Sequence, residues 1–260
     1  MMAQVLSAHV QGVGFWCKGL PSWENARAFI AEGSTPESAP ARPAPQLLAP
    51  NERRRAPETV AVALEVALAA CHAAGRDIAT LPSVFTSTHG DLAITDYMCR
   101  TLAEDPTSLS PIRFHNSVHN AAAGYWTIGA GTHAPSTAIS ALHGSFAQGL
   151  IEAMVQVATG TEAVLVVGYD SQSTGPLGRV SRSEGLLGGA LVLTGAGDGP
   201  RLHISIEADG TPSPPGPLQR FAAGSAMAPM LPLFELLAAG GGDCVLEAGA
   251  HSTLRTVLAP

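Results

Sequence analysis

One stretch of the sequence, HAPSTAISALHGSFAQGL at residues 133–150, has the pattern of a turn that holds a nucleophile. An extended run at residues 135–139 precedes a helix of small residues that is predicted to end near Thr159. A sharp strand-to-helix turn exposes one side chain where the helix dipole and free N–H groups stabilise negative charge. Cys or Ser would serve there. The predicted apex is instead Ile139, whose side chain cannot be acylated or ionised.

Two serines beside the turn are alternative nucleophiles. Ser140 follows Ile139 directly but lacks glycines on both sides. Ser145 follows Gly144, but His143 stands where a nucleophile-elbow motif has its first glycine. The spacing favours hydroxyls that cap the helix. A small acyltransferase or hydrolase that uses either serine, with a nearby histidine, is the alternative function.

The histidines do not form a metal-binding pattern. None of the nine falls in an HExxH motif, and the sequence contains no phosphate-binding loop. His115 and His119 are four residues apart and could share a helix face, but no third ligand is evident. We therefore predict neither a metal nor a cofactor, and we interpret the isolated His251 near the C-terminus as a surface or structural residue.

Composition restricts the class of protein. The chain has 260 residues, of which 46% are hydrophobic and 13% charged, with a net charge of −7. An acidic chain is not typical of nucleic-acid binding, and no apolar run reaches the roughly 18 residues that a membrane span needs. The N-terminus lacks the pattern of a secretory signal, and the four cysteines are widely spaced. These features predict a cytoplasmic globular protein with reduced thiols.

Predicted strands alternate with buried helices, a pattern typical of a layered α/β sheet. A segment with six prolines, at residues 34–57, is predicted to be a mobile surface loop without regular structure. The strands at residues 185–195 and 201–209 are predicted to form an antiparallel pair. The other predicted strands are 10–15, 83–90, 162–170 and 243–249, and the predicted helices are 22–33, 57–75, 91–104, 116–129, the helix after the turn, and 225–238.

Several of these segments together resemble the N-terminal half of the β-ketoacyl synthases, which are condensing enzymes of the thiolase fold. VQGVGFWCKGLPSWENARAFIAEG resembles the opening strand, loop and helix of that family, and SVHNAAAGYWTIGAGTHAPSTAIS resembles its Asn-x-x-Ala-Gly helix and Thr-Ala-Cys elbow. EAVLVVGYDS and SEGLLGGALVLTG resemble its later strands. The pattern, including LLAPNERRRAPETVAVALEVA, is most similar to the short chain length factors found beside ketosynthases in bacterial aryl-polyene-type gene clusters.

The resemblance implies a thiolase-like layered α/β/α fold with one half complete and the second half strongly reduced. It covers roughly residues 5–208. It suggests one domain over residues 1–260, with the proline-rich loop at 34–57 and a short C-terminal remnant at 218–260. The family's catalytic histidines come from the second half, and the sequence contains no His-Gly-Thr-Gly-Thr motif.

The resemblance also implies a function without chemistry at the elbow. Thr137 and Ala138 match the family's Thr-Ala, Ile139 stands where the family has its nucleophilic Cys, and Ser140 follows. The predicted function is a non-catalytic chain length factor in polyketide, polyene or fatty-acid-like biosynthesis. A remnant scaffold without any role toward an acyl chain is a third hypothesis.

The partners implied by the resemblance are an active ketosynthase in a heterodimer and, through that complex, an acyl carrier protein. The isolated chain could form a homodimer. Bulky side chains would close the acyl tunnel and so set product length. The candidates for this closure are Phe114, Tyr125, Trp126 and Ile139.

Overall fold

An eight-stranded mixed sheet forms the centre of the computed structural model, which describes residues 5–259. Residues 1–4 and 260, which the single-domain prediction includes, lie outside the described residues. The spatial order of the strands is β3-β2-β4-β5-β1-β6-β8-β7. The strands are β1 (Leu6–Cys17), β2 (Ser83–Thr86), β3 (Ser136–Ile139), β4 (Ala163–Asp170), β5 (Leu187–Thr194), β6 (Arg201–Ala208), β7 (Gly242–Gly249) and β8 (Ser252–Ala259).

The helices connect these strands and cover the sheet. None of the described helices is long and apolar enough to cross a membrane. They are α1 (Trp23–Glu32), α2 (Pro50–Arg55), α3 (Glu58–Ala74), α4 (Leu92–Glu104), α5 (Pro111–Asn116), α6 (Ala121–Gly129), α7 (Ser145–Ala158), α8 (Pro217–Phe221) and α9 (Leu231–Ala239).

Alternation along β4 divides the interior into two cores. Val164 and Val166 face a core that contains α7 and α9, whereas Leu165 and Val167 face a core that contains α3 and α6. Every residue of β4 is buried, as expected for a strand covered on both faces. The molecule is therefore layered helix–sheet–helix, which confirms the predicted α/β/α layering.

Glycines in β1 allow α3 to lie directly on the sheet. A Cβ at Gly12 would lie 2.1 Å from the Ala70 carbonyl oxygen, and one at Gly14 would lie 2.0 Å from that of Val66. These distances are far below van der Waals contact. The glycines that punctuate the first predicted strand are thus explained by close helix packing.

Local signals at the ends of α1 were predicted correctly. The Ser22 Oγ accepts a hydrogen bond from the Asn25 N–H at 3.2 Å, as an N-cap residue does. Gly33 ends the helix with a φ of 71°, a left-handed conformation that glycine adopts at little cost. The helix therefore begins and ends where the sequence indicated.

The predicted pairing of the strands after residue 185 is wrong. β5 and β6 are not neighbours, because β1 lies between them and pairs antiparallel with both. β6 pairs with β8, which in turn pairs with β7, so the C-terminal part of the chain extends the same sheet. The sequence shows two successive strands, but it does not show that the first strand of the chain separates them.

The proline-rich segment at 34–57 is not wholly irregular, because α2 (Pro50–Arg55) lies within it. Pro50 occupies the first turn of this helix, where its missing N–H leaves no hydrogen bond unmade. Leu48 is buried, and the Arg53 side chain donates to its carbonyl at 2.9 Å. The segment is thus pinned to the domain at this end, and its mobility stays a prediction.

Other helix boundaries also differ from the prediction. The helix predicted at 116–129 is two helices, α5 and α6, separated at residues 117–120. Of the helix predicted at 225–238, residues Ala228–Met230 form a 3-10 turn, and the α-helix begins only at Leu231. The strand predicted at 83–90 ends at Thr86, and the residues after it leave the sheet.

Burial suppresses the reactivity of three of the four cysteines, all of which are free thiols. It raises the pKa of Cys17 and of Cys71 to about 12, and that of Cys244 to about 11. Cys99 on α4 is exposed. Because the thiolate is the reactive form, we expect iodoacetamide at pH 8 to alkylate Cys99 alone in the folded protein. Peptide mass spectrometry checks this, with all four modified after denaturation, and rapid native labelling of Cys17 or Cys71 would contradict it.

Candidate functional site

Three parallel strands, β3, β2 and β4, end at the same edge of the sheet, with β2 between the other two. Ligands of open α/β sheets bind outside the carboxyl ends of such strands. The residues that follow the strands here are 87–90, 140–144 and 171–173. This edge is the candidate functional site.

The turn between β3 and α7 is longer than predicted. Ile139 is the last residue of β3, and α7 begins only at Ser145. Leu142, within the intervening turn, has a φ of 51°, the left-handed region that is strained for a residue with a branched side chain. The residue held in the strained conformation of a nucleophile elbow is therefore Leu142, and Ile139 lies on the strand before it. Neither side chain can act as a nucleophile.

Both serines near the turn are engaged by backbone groups. The Ser140 Oγ donates to the Thr88 carbonyl at 2.8 Å. The Ser145 Oγ donates to the Leu142 carbonyl at 2.6 Å and accepts from the Ala141 N–H at 2.9 Å. Among the described residues, no imidazole is hydrogen-bonded to either hydroxyl. The geometry is that of hydroxyls which fix the turn, as the sequence spacing favoured.

The backbone of β7 lies against the start of α7. A Cβ at Gly144 would lie 2.8 Å from the Ala248 carbonyl oxygen, and this oxygen accepts a hydrogen bond from the Gln148 side chain at 2.6 Å. The C-terminal part of the chain therefore places backbone atoms of β7 directly beside the elbow. None of these contacts involves a histidine.

A buried polar cluster, which sequence reasoning missed, joins the ends of β2 and β4. The fully buried Asp170 carboxyl accepts from the Ser87 hydroxyl at 2.6 Å and, through both oxygens, from the Thr88 N–H at 3.1 Å. The His89 Nδ1 lies 3.9 Å from one of these oxygens. Burial raises the pKa of Asp170, while His89 and the hydrogen bonds lower it. The sequence carried two signals of this cluster: the polar run STHG directly after β2, and an Asp at the end of β4.

This polar cluster is hydrogen-bonded to the turn after β3. Thr88, which donates its N–H to Asp170, offers its carbonyl to Ser140 in the turn after β3. Ser87 also accepts the Gly90 N–H at 2.9 Å, and its carbonyl contacts the His119 Nε2 at 3.0 Å. The cluster therefore connects the ends of three strands with the segment before α6. Its hydrogen bonds hold these backbone segments in place.

The four residues predicted to close an acyl tunnel differ in burial and in their surroundings. Phe114 on α5 is 60% exposed, whereas Trp126 on α6 is completely buried and packs against Phe85 with ring centroids 6.3 Å apart. Tyr125 is half-buried and borders a surface pocket of about 370 Å³ with Ile112 and His115 on α5, among others. Ile139, also half-buried, packs against the core that contains α7.

The remaining histidines are dispersed. The His115 ring packs edge-on against Tyr125, whereas His119 contacts the Ser87 carbonyl. His143 and His251 are exposed, and the latter lies in the turn between β7 and β8. Within residues 5–259, no group of three or more His, Cys, Asp or Glu side chains is placed to hold a metal ion.

A family model described as the N-terminal domain of beta-ketoacyl synthase matches residues 22–217, which is more than half of the chain. The chain belongs to the β-ketoacyl synthase family. This membership agrees with the resemblance that the sequence shows to the synthases. A search of curated proteins gave no significant match.

Solved structures share the synthase fold at low sequence identity. A ketosynthase in complex with its chain length factor, from Xenorhabdus doucetiae, matches at 23% identity and a TM-score of 0.76, covering 97% of this chain and 99% of that chain. The ishigamide ketosynthase/chain length factor matches at 15% identity and a TM-score of 0.72, with the same coverages of 97% and 99%.

A larger synthase is matched only in part. For a beta-ketoacyl synthase from Burkholderia phymatum the identity is 15% and the TM-score 0.60, covering 81% of this chain and 65% of that chain. The chain is thus matched nearly end to end by chains from ketosynthase/chain length factor structures, and it spans about two thirds of this synthase.

Proposed function

We propose that this protein is a non-catalytic chain length factor, which pairs with an active β-ketoacyl-carrier-protein synthase and shapes its acyl tunnel. The observation that carries the proposal is an elbow that keeps the strained strand-to-helix turn but presents Leu142 there, with Ile139 before it. A strained turn costs free energy, so its retention without a nucleophile fits a structural role. The end-to-end match to chains from ketosynthase/chain length factor structures supports the same role.

The free edge of β3 is the proposed pairing surface. The Ser83 N–H, at the start of β2, donates to the Pro135 carbonyl at 3.0 Å. The Ser87 N–H, directly after β2, donates to the Ile139 carbonyl at 3.3 Å. Because hydrogen bonding alternates along a parallel strand, the N–H and C=O groups of Ala138 point away from β2. A strand from a partner can pair with this edge, and an unpaired edge favours such addition.

Two exposed apolar side chains lie beside this edge. Ile128 on α6, which packs beside β3, is 79% exposed, and Leu142 in the following turn is 66% exposed. Large exposed apolar side chains grouped beside a free strand edge are typical of a protein interface, which supports a heterodimer with the ketosynthase and, in isolation, a homodimer.

The proposed complex would act on acyl chains carried as thioesters by an acyl carrier protein in the cytoplasm. Its products would be polyenes or related polyketide and fatty-acid-like chains. The proposed role requires no cofactor of this chain, because the condensing nucleophile and its histidines would belong to the ketosynthase.

Acyl labelling tests the absence of chemistry at the elbow. We expect neither an acyl-carrier thioester, nor cerulenin, nor a fluorophosphonate to modify residues 136–146 of the isolated protein, because Ile139 and Leu142 are inert and both serine hydroxyls bind backbone. Intact-protein and peptide mass spectrometry give the readout, with an active ketosynthase as positive control. Stoichiometric modification within this segment would contradict the proposal and favour the acyltransferase or hydrolase alternative.

Tyr125 is the remaining aromatic candidate for a tunnel wall, because it borders a pocket. Each two-carbon unit of a rigid polyene needs about 2.5 Å of further depth, and a packed ring does not yield by that distance. We expect Tyr125→Ala to lengthen the product of the reconstituted pair by one or more two-carbon units. The mass distribution of carrier-bound products gives the answer.

Phe221→Ala is the matched control for Tyr125, since Phe221 is a partly exposed aromatic on α8, packed against Phe29. This control should leave product length unchanged. If Tyr125→Ala pairs normally and gives the wild-type distribution, the ring is not part of the wall.

A further inference from the structure

Leu142, in the turn between β3 and α7, has a backbone conformation that leucine disfavours. Its φ of 51° lies in the left-handed region, where the Cβ of an L-residue comes too close to a carbonyl oxygen. Among residues 5–259, the only other non-glycine residue with a positive φ is Asp209. Aspartate tolerates this region because its short polar side chain can form local hydrogen bonds. Leucine has no such compensation, so glycine or asparagine would be the more stable choice at position 142.

The side chain of Leu142 gains no compensating burial within its own chain. It is largely exposed and belongs to neither of the two cores. An exposed leucine is ordinary by itself, but here the exposure coincides with backbone strain. Strained residues cluster at binding and switch sites, where the surrounding structure holds them in place. This coincidence indicates that the leucine side chain serves a contact outside the chain.

Hydrogen bonds on both sides of Leu142 fix the turn. The Leu142 carbonyl accepts from the Ser145 Oγ at 2.6 Å and from the Ser145 N–H at 3.1 Å. The Ala141 N–H donates to the same Ser145 Oγ at 2.9 Å, and the Ser140 Oγ donates to the Thr88 carbonyl at 2.8 Å. A side chain on a turn fixed in this way loses little entropy when a partner encloses it.

The place of the turn in the fold indicates which partner this side chain meets. The turn follows β3 directly, so Leu142 lies at the end of the strand edge that is the proposed pairing surface. His143 is the only ionisable side chain in residues 136–146, so this part of the surface suits an apolar contact. Interfaces commonly contain an aliphatic or aromatic anchor that fills a pocket of the partner.

We propose that Leu142 is such an anchor, whose side chain enters an apolar pocket of the partner while the turn holds it in the strained conformation. The identity of the partner rests on the proposed function: it is the ketosynthase that pairs with the edge of β3. The strain then lowers the stability of the isolated chain and supports pairing. Stability and affinity should therefore respond in opposite directions to substitutions of Leu142.

Three substitutions of Leu142 test this opposition. Leu142→Gly and Leu142→Asn suit the left-handed backbone and remove the apolar side chain. We expect both variants to unfold at a higher temperature than the wild type and to bind the ketosynthase at least about 10-fold more weakly. Leu142→Met keeps an apolar side chain of similar volume and should bind with nearly wild-type affinity. Thermal unfolding of the isolated chains and biolayer interferometry with the ketosynthase give the two readouts.

Asp209→Gly is the matched control, because Asp209 has the same backbone conformation and is exposed after β6. It should leave the affinity unchanged. If the wild type pairs and Leu142→Asn or Asp209→Gly contradicts these expectations, the anchor is wrong and the proposed function stands. A lower unfolding temperature of Leu142→Asn would also exclude the anchor, since Leu142 would then stabilise its own chain, as would a Leu142→Met variant that binds as weakly as Leu142→Asn. If the wild type does not pair, the proposed function fails and the anchor fails with it.

Discussion

Replacing Ala138 by Pro is expected to separate this protein from its ketosynthase partner. The Ala138 N–H points to the free side of β3, so a proline there leaves the hydrogen bonds to β2 intact and removes a donor that a partner strand would use. A carbonyl of the partner would be buried without its hydrogen bond, at a cost of about 1–3 kcal/mol. With the added steric clash, the affinity should fall about 10- to 100-fold or more.

The affinity of the pair, measured by analytical ultracentrifugation or biolayer interferometry, checks this prediction. Ala138→Ser is the matched control, because it alters the side chain and keeps the N–H. Thermal unfolding of both isolated variants shows whether the fold is unchanged. A well-folded Ala138→Pro variant that pairs with wild-type affinity would exclude β3 as the pairing edge.

Trp126→Ala is expected to cause the largest loss of stability among the aromatic variants. Trp126 is completely buried in the core beneath α3 and packs against Phe85. Truncation of such a ring costs about 3–5 kcal/mol, from lost apolar burial and the cavity left behind. Urea unfolding of the isolated protein measures this difference.

Tyr125 provides the control for Trp126, since it is the adjacent residue of α6 and only half-buried. Tyr125→Ala should cost markedly less. An unfolding free energy of Trp126→Ala close to that of the wild type would contradict the packing described for this core. If the loss of stability is large, any change in product length caused by Trp126→Ala is explained by unfolding and is not evidence that Trp126 lines a tunnel.

The sequence predicted elements whose signals are local. The continuous apolar run of β4, the capped ends of α1 and the apolar helix α3 each follow from residues within the element itself. The layered fold followed from their alternation, together with the resemblance of several segments to the synthases.

Features that depend on distant residues could not be predicted. The position of β1 between β5 and β6 joins strands that are almost 200 residues apart, and no local pattern encodes it. Tyr125 and Trp126 are neighbours in sequence but differ in burial, because consecutive residues of a helix face directions about 100° apart.

The detail of the candidate site could not be predicted from the sequence. The turn after β3 was predicted, yet its length was not, so Ile139 was placed at the apex and Leu142 was overlooked. The Asp170 cluster was also missed, because its hydrogen bonds connect residues 82 or 83 positions apart.

Co-expression with ketosynthases, beginning with any that is encoded beside this protein, tests the central claim most directly. Affinity purification of the ketosynthase, followed by native mass spectrometry and an assay of condensation, gives both the stoichiometry and the activity. The proposed function predicts a one-to-one complex in which only the ketosynthase is acylated, and whose activity or product length changes when this chain is omitted. Ketosynthases that purify without this protein, and that make the same products at the same rate in its absence, would contradict it.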